Sequence, residues 1–181
     1  MDLHQIQISY QDYEDRLLVK FSFAEPNNND AKQEIKVWFT RRLALMFWPA
    51  ILEALAKQVS LNKPEAAHAS ADILQMEHEA SLSKVKEAGG FNAHYDTKAL
   101  SWPMGEAPLL PNNIQFHFST NQPMTIEFAL SNGKGFEVGM AQNVVHSFCK
   151  LFQDAVEKAD WGFMLEMPGT KQESVPAHLL N

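Results

Sequence analysis

The sequence predicts an α+β protein built from two tandem antiparallel βββα units, with helices covering one sheet face and a helical insertion between the units. Three observations predict it. Apolar residues alternate at period two in two separate stretches, and each stretch leads into an apolar or amphipathic helical run. A faint internal duplication links residues 6–58 with 114–159. Leu17, Val19, Phe21 and Phe23 answer to Met124, Ile126, Phe128 and Leu130, while Val37, Phe47, Ala54 and Lys57 recur as Val138, Phe148, Ala155 and Lys158. The segment between the stretches, 61–113, has no counterpart and reads as the insertion.

The first unit, residues 1–60, opens with alternation at Ile6, Ile8 and Tyr10. A polar turn at 11–15 follows, and then a strand with Val19, Phe21 and Phe23 on one face. Pro26-Asn27-Asn28-Asn29-Asp30 is a turn cluster, rich in residues that tolerate left-handed backbone. Ile35, Val37 and Phe39 then alternate with Glu34, Lys36 and Trp38, the pattern of a sheet with one apolar face.

The helix that follows starts near Thr40, a plausible N-cap, and runs to about Val59. Between Leu43 and Ala56 only Pro49 and Glu53 are not hydrophobic, so the helix is expected to be buried on more than one face. That apolar run is too short to span a bilayer. Pro49 is expected to kink the helix or start its second segment, because it removes a backbone donor.

Within 61–113, Asn62-Lys63-Pro64-Glu65 resembles a capping box, and a helix is expected from there to about Ala88, ended by Gly89-Gly90. Its apolar stripe is thin. Residues 91–113, with Phe91, Tyr95, Trp102 and three prolines, read as an ordered loop on the core.

The second unit, 114–162, repeats the plan. Ile114, Phe116 and Phe118 mark one strand; Met124, Ile126, Phe128 and Leu130 mark the next. Ser131-Asn132-Gly133-Lys134-Gly135 is a hairpin signal, and Phe136, Val138 and Met140 complete the sheet. The closing helix, about Gln142 to Asp160, places Val144, Phe148, Leu151, Phe152, Ala155 and Ala159 on one side. Asn143, His146, Lys150, Gln153, Asp154 and Glu157 lie on the other. The second unit is expected to pack with the first as one domain, and residues 163–181 read as a flexible C-terminal tail.

Over its 181 residues the chain is 45% hydrophobic and 20% charged, with a formal net charge of −7. This balance argues against general nucleic-acid binding, which needs a basic face to displace counterions from phosphates. With one cysteine, Cys149, no internal disulfide or Cys-x-x-Cys site is possible. The first residues lack a secretory pattern, and no uninterrupted apolar stretch reaches membrane length. A cytoplasmic, reducing location is expected, with no membrane span.

No motif for catalysis appears. There is no Gly-x-Ser-x-Gly elbow, phosphate loop or dinucleotide fingerprint. The seven histidines, His4, His68, His78, His94, His117, His146 and His178, show no metal-ligand spacing, and His68 and His78 read as solvated helix residues. Glu65, Asp72, Glu77 and Glu79 read as a charged helix surface. Cys149 reads as a half-buried structural thiol. No catalytic residue, metal or cofactor is assigned.

Arg41 and Arg42 stand out because positive charge in the first turn of a helix opposes the macrodipole. An anion or partner carboxylate would relieve that conflict, as would pairing with Glu14, Asp15 or Glu34. Trp38 sits on the otherwise polar face of its strand, and Trp and Arg are enriched at interfaces. The interaction candidates are therefore Trp38, Arg41, Arg42, Phe47 and Trp48. The expected function is non-enzymatic: an intracellular interaction or adaptor protein whose partner is another protein or a second copy of itself. The alternative is a small-molecule or anion-binding domain, possibly an enzyme, using a cleft between the two units.

Overall fold

The computed structural model describes residues 2–25, 28–90, 94–98 and 100–168. The strand–strand–strand–helix order occurs twice, as the alternation predicts. Strands β1 (Asp2–Gln11), β2 (Arg16–Glu25) and β3 (Asn28–Thr40) lead into helix α1 (Arg41–Asn62). Strands β5 (Asn113–His117), β6 (Met124–Ala129) and β7 (Gly135–Met140) lead into α3 (Gln142–Ala159). Between them lie a 3-10 segment (Pro64–Ala69), helix α2 (Ser70–Glu87) and a short strand β4 (Leu100–Ser101).

The first sheet has the order β1-β2-β3-β4 and the second β5-β6-β7. All hairpin neighbours are antiparallel, while β4 joins the free edge of β3 in parallel. Asn28 to Asp30, expected in a turn, belong to β3, so the connection from β2 is tighter than the sequence suggests; residues 26 and 27 lie outside the described residues. The β6–β7 hairpin forms as expected. Gly133 turns at φ +76, and Leu130 N–H donates to the Lys134 carbonyl at 2.8 Å.

Alternation places Leu17, Val19 and Phe21 of β2 on the same side as Val37 and Phe39 of β3, all 0% exposed. Met124, Ile126 and Phe128 of β6 are buried in the same way. This shared burial follows from period-two alternation alone and says nothing about common descent of the two units.

Both sheets and both closing helices meet in one aromatic cluster. Phe21 lies 5.7 Å from Phe128, 6.3 Å from Phe136 and 6.2 Å from Phe148, ring centre to ring centre. Phe39 touches Phe47, Phe128 and Phe152. Helix α3 packs on α2 and on β1 and β2, the sheet of the other unit, and α1 reaches from β3 to β5. Each helix thus bridges the two sheets, and one continuous core holds residues of both units.

Thr40 caps α1: its side-chain oxygen accepts from Leu43 N–H at 3.2 Å. Pro49 does not start a second segment, since α1 runs through it as one helix of 22 residues. Pro49 lies on the exposed side, where water can satisfy the Leu45 carbonyl that loses its donor. At this length α1 is long and apolar enough to cross a membrane on those two criteria alone, although seven of its residues are buried in the core.

The expected capping box at Asn62 is absent. The chain enters a 3-10 segment without a side-chain cap, and Asn62 Oδ1 instead accepts from Asn121 N–H at 2.8 Å. The tail expectation is also corrected in part. Trp161 and Met167 are 5% and 6% exposed, and Gln153 Nε2 donates to the Leu165 carbonyl at 2.7 Å. Phe163, Leu165 and Met167 therefore pack on the core, and 169–181 lie outside the described residues.

Phe21→Ala should remove the centre of the aromatic cluster and lower unfolding stability by about 3–5 kcal/mol, read by urea denaturation. A loss below about 1 kcal/mol would mean that the cluster does not hold the sheets together.

Candidate functional site

The candidate interaction residues separate in space. Phe47 is 3% exposed and packs against Phe39, Phe116, Phe148 and Phe152. Trp48 is 6% exposed, stacks on Phe152 at 6.4 Å, and donates from Nε1 to the Glu166 carbonyl at 3.0 Å. Neither offers a surface. The strip they share faces the sheets and the 161–168 segment, which the sequence reading had placed elsewhere. Trp38 is half-buried on the outer face of the first sheet, with the Arg16 guanidinium 6.0 Å from its ring.

Arg41 pairs with Asp15, as one reading of the sequence anticipated: Nη2 lies 3.1 Å from Oδ2, with both side chains about half exposed. Asp15 sits in left-handed backbone at φ +49 in the β1–β2 turn. It also accepts from Tyr10 Oη at 3.0 Å and from Trp161 Nε1. The Trp161 hydrogen bond, with help from Tyr10 and Arg41, holds the Asp15 carboxyl below the ordinary value, while partial desolvation opposes it. One carboxylate thus ties together the first hairpin, the start of α1 and the segment after α3. Arg42 is exposed and forms no ion pair among the described residues.

Of the connection expected as an ordered loop on the core, Met104 and Leu109 do pack on the core, Leu100–Ser101 and Leu109 join the edge of β3, and Tyr95, Asp96 and Trp102 lie on the outer face of the first sheet. Glu34, 2% exposed, accepts from Tyr95 Oη at 2.7 Å and from Trp102 Nε1 at 3.1 Å, and lies 3.5 Å from Lys36 Nζ. Lys20 and Lys36 lie over the Tyr95 and Trp102 rings. Burial and Glu34 push the Tyr95 phenol upward. Lys32 Nζ bonds Asp96 Oδ2 at 2.7 Å and holds that carboxyl down. These contacts satisfy a buried carboxylate and fasten the connection.

A second polar feature lies between the units. Helix α1, helix α2, the 121–124 turn and the start of α3 surround a cavity of about 310 Å³. Leu55, Val59, Met124, Met140 and Val145 form its apolar wall. Gln58, Asn62, Glu77, Gln122, Gln142 and His146 form its polar wall. The polar wall is cross-linked, since Gln58 Nε2 donates to the Gln122 carbonyl at 2.7 Å and Lys63 Nζ lies 2.8 Å from Glu77 Oε1.

Two histidines expected in solvent are buried here. His146 is 0% and His78 7% exposed, with their Nδ1 atoms 3.3 Å apart, and this contact joins α2 to α3. His146 Nε2 is buried without a hydrogen-bond partner. Burial pushes His146 down to about 4, with His78 adding to it. Burial and the Lys150 ammonium lower His78, with Glu79 opposing. Both imidazoles are therefore neutral near pH 7. The helical period of α3 places His146 opposite the expected apolar stripe, and the docking of α2 covers it.

Cys149 is fully buried and its thiol is pushed up to about 12, so it is an inert core group. Glu65, Asp72 and Glu79 are exposed, as a charged helix surface requires. No group of three metal-ligating side chains occurs among the described residues.

The sign of the histidine effect is fixed by the direction of the shifts. A depressed imidazole disfavours protonation in the folded state, so its stability is complete above the ordinary value of 6.5 and falls as pH drops toward about 4. Urea midpoints should decline across that window for the native chain. His78→Leu/His146→Leu, which replaces a partnered polar pair with apolar groups of similar size, should flatten the decline. An unchanged pH profile in the double variant would show that other groups carry it.

No family model matches this chain, and neither a curated protein nor a solved structure matches it, so its function has to be read from its own residues.

Proposed function

We propose that this protein is a non-enzymatic interaction protein whose first contact is with a second copy of itself, through the outer face of α1. Support comes from one observation: the side of α1 opposite the core is apolar and open. Leu45 is 49% and Met46 61% exposed, and Pro49 is exposed beside them. Isolated exposed leucines are ordinary, but these three are neighbours on one helical face.

The charges at the ends of this stripe favour a second copy as the occupant. Arg42 and Glu53 bound it and lie about 16 Å apart along the helix axis. In an antiparallel pair of α1 helices centred between Met46 and Pro49, Arg42 of each copy faces Glu53 of the other. That arrangement is self-complementary, as a two-fold interface requires. It also gives Arg42 a carboxylate that the first turn of α1 lacks. Glu53 is held by Lys57 within its own helix, an exposed pair that costs little to rearrange. The candidates Phe47 and Trp48 support this face from beneath by fixing the helix to the core, and Arg41 is already occupied by Asp15.

Light scattering should give a mass near twice 20.5 kDa for the native chain. Leu45→Glu/Met46→Glu should return it to the single-chain mass without loss of fold, since both positions are exposed. Arg42→Glu should weaken the pair, and Arg42→Glu/Glu53→Arg should restore it. A native monomer at every concentration, or a dimer indifferent to the Leu45 and Met46 changes, would overturn the proposal.

A further inference from the structure

We propose that the outer face of the first sheet binds an extended acidic segment of another protein, with two carboxylates four residues apart and an apolar residue midway between them. This surface is separate from the outer face of α1, and the inference does not depend on self-association.

The first support is a concentration of cations on one face. The side chains that alternate with them, Leu17, Val19, Val37 and Phe39, are 0% exposed, so Arg16, Leu18 and Lys20 of β2 and Lys36 and Trp38 of β3 are directed outward. The register sets Lys20 opposite Lys36 and Leu18 opposite Trp38. On β1 the same face continues with Gln7, Ser9 and Gln11, which carry no charge. Arg16, Lys20 and Lys36 thus share one half-buried surface of a chain whose formal net charge is −7.

The second support is that these cations are short of carboxylates. Arg16 and Lys20 form no ion pair among the described residues. The Arg16 guanidinium instead stands 6.0 Å from the centre of the Trp38 ring, and the Lys20 ammonium 5.4 Å from that of Tyr95. Lys36 stands 5.4 Å from the Trp102 ring and 3.5 Å from Glu34, which already accepts from Tyr95 and Trp102. A cation over a ring still has donors to spare, and a charge-assisted hydrogen bond to a carboxylate is a strong use for them.

Spacing selects the partner. Arg16 and Lys20 lie four residues apart on one strand, a span of about 13 Å. An extended peptide laid along β2 has the same repeat, and every second side chain turns toward the sheet. Carboxylates at its first and fifth positions then meet Arg16 at one end and Lys20 with Lys36 at the other, while the third residue faces Leu18 and Trp38. A helical partner does not fit, because residues four apart on a helix stand only about 6 Å from each other. A long polyanion fits poorly as well. Asp12, Glu14 and Asp15 stand beyond Arg16, and Glu34 and Asp96 beyond Lys20 and Lys36. Nucleic acid, with a phosphate at every nucleotide, would run onto these carboxylates at both ends.

The test is a titration of the full chain with the end-blocked pentapeptide Glu-Ser-Leu-Ser-Glu, with the Trp38 indole resonance followed by NMR. The peptide should shift it saturably, and added salt should weaken the binding. Gln-Ser-Leu-Ser-Gln, without charge, and Glu-Glu-Ser-Leu-Ser, with adjacent carboxylates, should each bind about tenfold more weakly or worse. Arg16→Gln/Lys20→Gln should keep the fold, since neither residue is fully buried, and weaken Glu-Ser-Leu-Ser-Glu by about tenfold or more. No saturable shift, equal binding of the uncharged peptide, or indifference to Arg16→Gln/Lys20→Gln would each overturn the proposal. Tighter binding of oligothymidylate at the same residues would assign the face to nucleic acid. A Trp38 shift that follows chain concentration without peptide would assign it to a second copy, and either result overturns the proposal too.

Discussion

The structure depends on one constraint: two small sheets must share a single apolar interior, and phenylalanine rings are what fill it. Phe21 and Phe39 from the first sheet, Phe128 from the second, and Phe47, Phe148 and Phe152 from the helices stand within about 5–6.5 Å of one another. Three strands with a single helix, a unit of about 60 residues, would be only marginally stable alone. Crossing the helices, so that α3 lies on β1 and β2 while α1 spans β3 and β5, removes that weakness. Edge-to-face and tilted ring pairs then add directionality to an otherwise non-directional driving force.

Once the interior is committed to aromatics, polar groups that alternation sends outward must be satisfied by the connections. Glu34 shows how. It lies on the outer face of its sheet, yet Tyr95 and Trp102 supply it with hydroxyl and indole donors, and Lys36 of its own strand adds an ammonium. Asp15 plays the matching part at the other end, accepting from Tyr10, Trp161 and Arg41. Neither network resembles a catalytic constellation. Both attach chain segments to a sheet whose own hydrogen bonds are already complete along β2. The positive charge of Arg41 at the start of a helix is therefore compensated by a fixed internal carboxylate, while Arg42 remains open.

The two faces of α1 carry different duties as a result. Its inner residues complete the core, and its outer residues leave an apolar stripe bounded by opposite charges. The cavity at its C-terminal half arises from the same geometry. α1, α2 and α3 converge there without filling the space, and His146 Nε2 is left buried without a partner. His146 Nε2 shares this lack with Ser22 Oγ and Gln33 Oε1 of the first sheet, which are also buried without partners.

Much of the architecture was legible locally. Period-two alternation at Leu17 to Phe23 and at Met124 to Phe128 identified strands and their buried faces, because side-chain direction in a strand is decided by the backbone itself. Thr40 as a cap and Gly133 in the hairpin were equally local. Tertiary structure alone decided three things. It decided which flank of α1 was inner, since a helix apolar on nearly all sides carries no phase; hence Phe47 and Trp48 proved to be core, while Leu45 and Met46 stayed open. It decided that Asn62 would bond the 121–124 turn rather than cap the next helix. And it brought His78 against His146 across 68 positions of sequence, burying two residues whose neighbours on their own helices gave no sign of it. Burial of a polar side chain depends on what docks over it, and that partner is set by the packing of distant elements rather than by local spacing.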